Sequence, residues 1–197
     1  MAFGWFRSKR PTPGPTAREA AFDEIYAANG DAILRYLRRL TGSPHAAEEL
    51  LQETFLKLHE RPAGFEVLSN PRAWLFRVAT NLASDRARNA QRAAEREQRW
   101  VQGRGAPVVR FDRRLEQQEA ILRALTEIPP RMRQVLLLSA EGWTYREIAS
   151  IAGIEAGYVG VLLQRGRAAF ARAYEAEERA EEKEEKKDEQ RGRRGNR

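Results

Sequence analysis

The chain has 197 residues, 42% hydrophobic and 32% charged, with 35 Lys and Arg against 28 Asp and Glu. That length supports one or two small cores under a charged exterior. The lack of cysteine excludes disulfides and thiolate metal sites, two histidines are too few for a typical zinc site, and no apolar run approaches the ~20 residues that cross a bilayer.

Residues 1–17 hold three prolines and two glycines and read as a disordered basic arm without the apolar stretch of a signal peptide. A helical pattern starts near Arg18, with Ala21, Phe22, Ile25 and Tyr26 on one face. Ile33, Leu34, Leu37 and Leu40 continue it beyond Asn29-Gly30, where a break or kink is expected. Thr41-Gly42-Ser43-Pro44 is a turn, with Ser43 as cap of the next helix and Pro44 at its first position. That helix buries Leu50, Leu51, Phe55 and Leu58, and its outer face carries Glu48, Glu49, Gln52, Glu53 and Lys57. Asn70-Pro71 starts a long helix to about Arg99, with Trp74, Leu75, Val78 and Leu82 as its apolar stripe. Trp74 therefore reads as a core residue rather than a stacking platform. Gly103, Gly105 and Pro107 mark a linker, and helices follow from about Asp112 to Glu175, broken at Pro129-Pro130, Gly142 and Gly153. No run reads as a strand. The tail after Glu175 has eight acidic and eight basic residues; its Glu-before-Lys spacing could extend the last helix, but it cannot bury a core, so most of it is expected to be frayed or disordered.

The charge is unevenly placed. Between Arg72 and Arg114 eleven arginines face four carboxylates, a surplus that equals the formal charge of +7 for the whole chain. A concentrated basic segment fits a polyanionic partner, although a solvated helix face gives the same composition. Further on, EIASIAGIEAGYVGVLLQRG has helix-turn-helix spacing. Gly153 is its turn glycine, Ala149 the small residue at the helix crossing, and Ile148, Val159 and Leu162 its core. Motifs of this kind lay the second helix in the major groove.

AAEELLQETFLKLHERPAGF followed by NPRAWLFRVATNLASDRAR resembles region 2 of bacterial sigma factors, and ALTEIPPRMRQVLLLSAEGWTYREIASIAGI resembles region 4. Their order, the short linker and the lack of other regions resemble an extracytoplasmic-function (ECF, group 4) sigma factor of the sigma-70 family. The resemblance implies an all-α chain of two small helical domains. Region 2 would span 18–99, the linker 100–113, region 4 114–175 and the charged tail 176–197. It implies that Glu49, Gln52, Glu53 and Leu56 meet the β′ coiled coil of core RNA polymerase, an acidic and amide face against a basic partner. It places −10 contacts at Phe65, Ser69, Asn70, Arg72, Arg77, Asn81 and Arg88, the loop from Phe65 to Arg72 enclosing a flipped base and the arginines meeting phosphates. Asp85 is expected to neutralise a neighbouring arginine. The linker would thread through the polymerase or merely tether the domains.

Region 4 departs from the family pattern. Where relatives often have Lys, Ser and Arg, this chain has Gly160, Val161 and Leu162. The −35 candidates left are Arg146, Glu155, Tyr158, Gln164, Arg165 and Arg167. The expected readout is mainly through phosphates and DNA shape; packing on the β flap or a partner, and readout shifted toward Gln164, are the alternatives. Partners implied are core RNA polymerase (β′ coiled coil and β flap), promoter DNA and an anti-sigma factor, in the cytoplasm, without membrane insertion. No cofactor or metal is expected. With no glycine-rich phosphate loop, carboxylate cluster or nucleophile with its base, the chain does not read as an enzyme. A stand-alone helix-turn-helix regulator is the competing function.

Overall fold

The computed structural model describes residues 17–61, 64–65, 68–97 and 113–195, without the side chains of 17, 94–97, 113–118 and 181–195. The expected N-terminal arm and nearly all of the linker lie outside the described residues. Within them the chain is all-α, as expected, with no strand.

Three helices make the N-terminal bundle: α1 (Ala17–Thr41), α2 (Pro44–His59) and α3 (Pro71–Glu97). The break expected at Asn29-Gly30 does not occur. The Asn29 amide donates to the Ile25 carbonyl at 2.8 Å, and the Tyr26 ring lies 3.6 Å from where a Gly30 Cβ would sit. Asn29 is itself buried, so packing overrides local propensity. α1 ends at Gly42, whose φ of +69° any side chain would strain, and a Cβ there would also come within 2.9 Å of Thr126. Ser43 caps α2 by accepting from the Ala46 N–H at 3.2 Å, and Asn70 caps α3 by accepting from the Ala73 N–H at 2.9 Å.

The bundle core is Ile33, Tyr36 and Leu37 of α1, Leu50, Leu51, Phe55 and Leu58 of α2, and Leu75, Phe76, Ala79 and Ala83 of α3. The α3 stripe is thus rotated from the expected one: Trp74, Val78 and Leu82 are only partly buried. The cause is a second neighbour. α3 packs against α1 and α2 on one side and against α6 of the C-terminal bundle on the other. At the centre, the buried Tyr36 hydroxyl and the Thr80 hydroxyl share a 2.8 Å hydrogen bond.

The C-terminal bundle is α4 (Arg113–Glu127), α5 (Pro130–Ala140), α6 (Tyr145–Ala152) and α7 (Ala156–Gly195). α6 opens with a capping box. Thr144 accepts from the Glu147 N–H, and the Glu147 carboxylate accepts from the Thr144 N–H at 2.9 Å and its hydroxyl at 2.7 Å. These donors hold the Glu147 carboxyl below its usual range, the side-chain bond being the larger cause. Gly153 closes α6 in the left-handed conformation, φ +64°. Instead of fraying after Glu175, the helical backbone continues to Gly195. Arg123 of α4 holds Glu177 at 2.7 Å, and Arg179 pairs with Glu175 one turn back at 3.0 Å. Among the described residues no helix is long and apolar enough to cross a membrane.

Candidate nucleic-acid interface

The expected −10 residues follow the start and one edge of α3. Ser69, Asn70, Arg77, Asn81 and Arg88 are exposed. Asn70 is already committed as the α3 cap. Phe65 is not available to a base: its ring is 1% exposed, edge-on to Phe22 at 6.0 Å and under the Arg18 guanidinium. It anchors its loop to α1, which corrects its expected role as a direct contact. Arg88 pairs with Asp85, as the i,i+3 spacing anticipated. Arg86 donates to Glu49 of α2 at 2.6 Å, and that bond holds the Glu49 carboxyl below its usual range.

Two of the arginines are engaged by the C-terminal bundle. The Arg72 guanidinium lies 4.3 Å from the centre of the Trp143 ring and 5.3 Å from that of Phe76, and it donates to the Glu141 carbonyl at 3.1 Å. Phe76 meets Trp143 edge-on at 5.3 Å. Arg77 donates to the Ser150 hydroxyl of α6. On the other side of the junction, Arg133 of α5 donates to the Leu40 carbonyl of α1 at 2.9 Å. Sequence reasoning missed Glu141, Trp143 and Ser150, since pairs about seventy positions apart leave no local pattern. The one hint was a Trp directly after the turn glycine, where burial on both sides was not foreseeable.

The second face lies on α2. Glu49, Gln52, Glu53 and Leu56 fall at i, i+3, i+4 and i+7 and are all exposed, Leu56 to 53%. Leu56 is thus an apolar side chain on an otherwise polar and acidic helix face.

The third face is the helix-turn-helix of α6 and α7. Ile148, Ala149, Val159 and Leu162 are buried, as its skeleton requires. Leu162 is only 4% exposed, so it fills the core and is no vacated DNA-contact position; the outward departures are Gly160 and Val161. Arg146, Glu155, Tyr158, Gln164, Arg165 and Arg167 are all exposed. Sequence reasoning also missed Tyr145, 53% exposed at the start of α6, with its ring 3.7 Å from where a Gly160 Cβ would sit.

A family model described as Sigma-70 region 2 matches residues 25–93, and one described as Sigma-70, region 4 matches residues 118–170. The ECF RNA polymerase sigma factor SigE of Mycolicibacterium smegmatis is 30% identical over 166 residues, 78% of this chain but only 62% of its own length. The RNA polymerase sigma factor CarQ of Myxococcus xanthus is 29% identical over 150 residues, 74% of this chain and 84% of its own. The ECF RNA polymerase sigma factor SigL of Mycobacterium tuberculosis is 32% identical over 155 residues, 74% of this chain and 85% of its own. Among solved structures, the co-crystal structure of the sigma factor RpoE in complex with the anti-sigma factor NepR from Bartonella quintana matches with a TM-score of 0.63. The match covers 79% of this chain and 97% of that one at 22% identity, a likeness of fold.

Proposed function

The chain belongs to the ECF group of the sigma-70 family, and from that premise we propose that it binds core RNA polymerase, directs it to specific promoters and helps open the −10 element. The observation that carries this reading is the pairing, in one chain, of an exposed acidic-apolar face on α2 with exposed arginines on α3 and on the helix-turn-helix of α6 and α7. A stand-alone regulator has no use for Glu49, Gln52, Glu53 and Leu56. In this reading they dock on the basic β′ coiled coil, where complementary charge steers association and fixes register. The α3 edge takes the displaced non-template strand: Arg72, Arg77 and Arg88 meet phosphates, while Ser69 and Asn81 reach the base of a flipped nucleotide. Arg146, Arg165 and Arg167 hold the −35 duplex by its phosphates, with Glu155, Tyr158 and Gln164 beside them, and the β flap receives the rest of region 4.

The protein works in the cytoplasm with no catalysis of its own. An anti-sigma factor is its expected regulator, in keeping with the RpoE–NepR complex among its structural neighbours. Pull-down of core polymerase and run-off transcription from genomic promoters test the reading. Polymerase-dependent transcripts are expected, abolished by Leu56→Asp. Duplex binding without polymerase, and no transcripts with it, would favour the stand-alone regulator.

A further inference from the structure

The outward side of α7 raises a question that phosphate contacts leave open. Gly157, Val161, Gln164 and Ala168 fall at i, i+4, i+7 and i+11, opposite the buried Val159, Leu162, Leu163 and Gly166. All four are exposed, and Gln164 is the only one that can hydrogen-bond through its side chain. Val161 is 38% exposed at the centre of this face. Gly157 lacks a side chain one turn before it, and the Tyr145 ring lies beside Gly160. Arg165 and Arg167, both exposed, flank the face on α7, and Arg146 is exposed on α6. The result is a small, largely apolar ridge bordered by cations, and the cations fit it to a duplex rather than to an apolar protein.

We propose that Val161 and Gln164 are the specificity-determining pair of this motif, reading two neighbouring A·T base pairs of the −35 element. Val161 meets the C5-methyl of a thymine, and Gln164 bonds N6 and N7 of an adenine in the adjacent pair. The inference rests on the sigma-factor reading above. Apolar side chains in the major groove recognise thymine by its methyl group, and a Gln amide matches the donor–acceptor pair of adenine. The two residues are one helical turn apart on the same face, a rise of about 4.5 Å, close to the ~3.4 Å step between base pairs. Gly157, with open space where a side chain would be, lets the backbone sit deep enough for short side chains to reach the base edges. The chain thus replaces long polar readers with a closer approach.

The test uses holoenzyme assembled from the full chain and its own core polymerase, with a promoter library randomised through the −35 element. Selection is expected to return two neighbouring A·T pairs. On the selected promoter, deoxyuridine in place of the thymine removes only the methyl group. Binding of the wild type should weaken about fourfold, and that of Val161→Ala should not change further. 7-Deazaadenine in place of the adenine should weaken wild-type binding about fivefold or more, with no further loss for Gln164→Ala. Both side chains are on the surface, so each variant should melt with the wild type. A −35 profile without base preference, a G·C pair at either position, or an indifferent response to deoxyuridine overturns the proposal while leaving promoter binding intact. A holoenzyme that binds no promoter overturns the sigma-factor reading, and this proposal with it.

Discussion

Arg72→Ala should open the junction between the two bundles. Arg72 joins them through the face of Trp143 at 4.3 Å and the Glu141 carbonyl at 3.1 Å. A cation–π contact at a partly exposed site contributes about 0.5–1 kcal/mol, and a hydrogen bond from a charged donor about 1.5–3 kcal/mol. The Arg72 side chain is 42% exposed, so the low end of each range applies, about 2 kcal/mol together. Its carboxylate partner Glu141 stands 4.0 Å away and adds little. A loss of about 2 kcal/mol shifts the closed-to-open ratio roughly thirtyfold. The chain has no cysteine, so Lys57→Cys in α2 and Ala168→Cys in α7 give two unique sites for a fluorescent donor and acceptor. Energy transfer is then followed against urea, and the opening step of Arg72→Ala should move to lower concentration, ahead of global unfolding. Arg72→Lys keeps the charge and loses the planar stack, so it should fall between the two. An opening step unmoved in Arg72→Ala would refute the reasoning, and Arg72→Lys behaving as wild type would show that charge, not stacking, closes the junction.

Tyr36 is fully buried, and desolvation raises its hydroxyl well above the ordinary value of 10.0, against a smaller lowering by the Thr80 bond. A raised pKa in the fold means stability that is complete below pH 10 and declines as pH rises beyond it. Tyr36→Phe should cost about 1 kcal/mol at neutral pH and flatten this alkaline decline, both read from urea midpoints between pH 7 and pH 11.5 or so; an undiminished decline would assign it elsewhere. Gly153→Ala meets no neighbouring atom, so its cost is backbone strain alone, about 1–2 kcal/mol of C-terminal bundle stability in thermal melts. Arg165→Ala should weaken holoenzyme binding about equally across −35 sequences and reduce its salt dependence by roughly one counterion; a loss confined to one −35 sequence would contradict a phosphate contact there.

What could be read in advance was what local chemistry decides. Ser43-Pro44, Asn70-Pro71 and Gly153 each satisfy or end a helix through atoms a few residues apart, and each stands where the pattern put it. The Thr144–Glu147 box was equally local and equally readable, yet went unread. Asn29-Gly30 misled because its intrinsic preference for a break is smaller than the burial that keeps α1 whole. The α3 stripe was misplaced because periodicity locates one apolar face, and α3 has neighbours on two sides. In the interface, exposure of Glu49, Gln52, Glu53 and Leu56 followed from the helical period. The burial of Phe65, and the engagement of Arg72 and Arg77 by α5–α6, depend on tertiary contacts that no spacing encodes.

The closed junction also carries the means of its own release. The Nε groups of Trp143 and Arg133 are buried there without a protein partner. An unpaired buried donor costs about 1–3 kcal/mol, which opening to water recovers. This opposes the stacking and hydrogen bonds of Arg72 and Arg77, so closure is a balance of terms of similar size rather than a fixed union of two cores. The competition is chemically matched. A guanidinium over an indole and bonded to a carbonyl oxygen offers the same groups that an unstacked base and a phosphate would take. DNA at the α3 edge would therefore replace each protein contact with an equivalent one. α7 itself packs on α4, α5 and α6. On the proposed function, capture of the −10 strand by Arg72 and Arg77 requires both to give up their bonds to Glu141 and Ser150 in the C-terminal bundle.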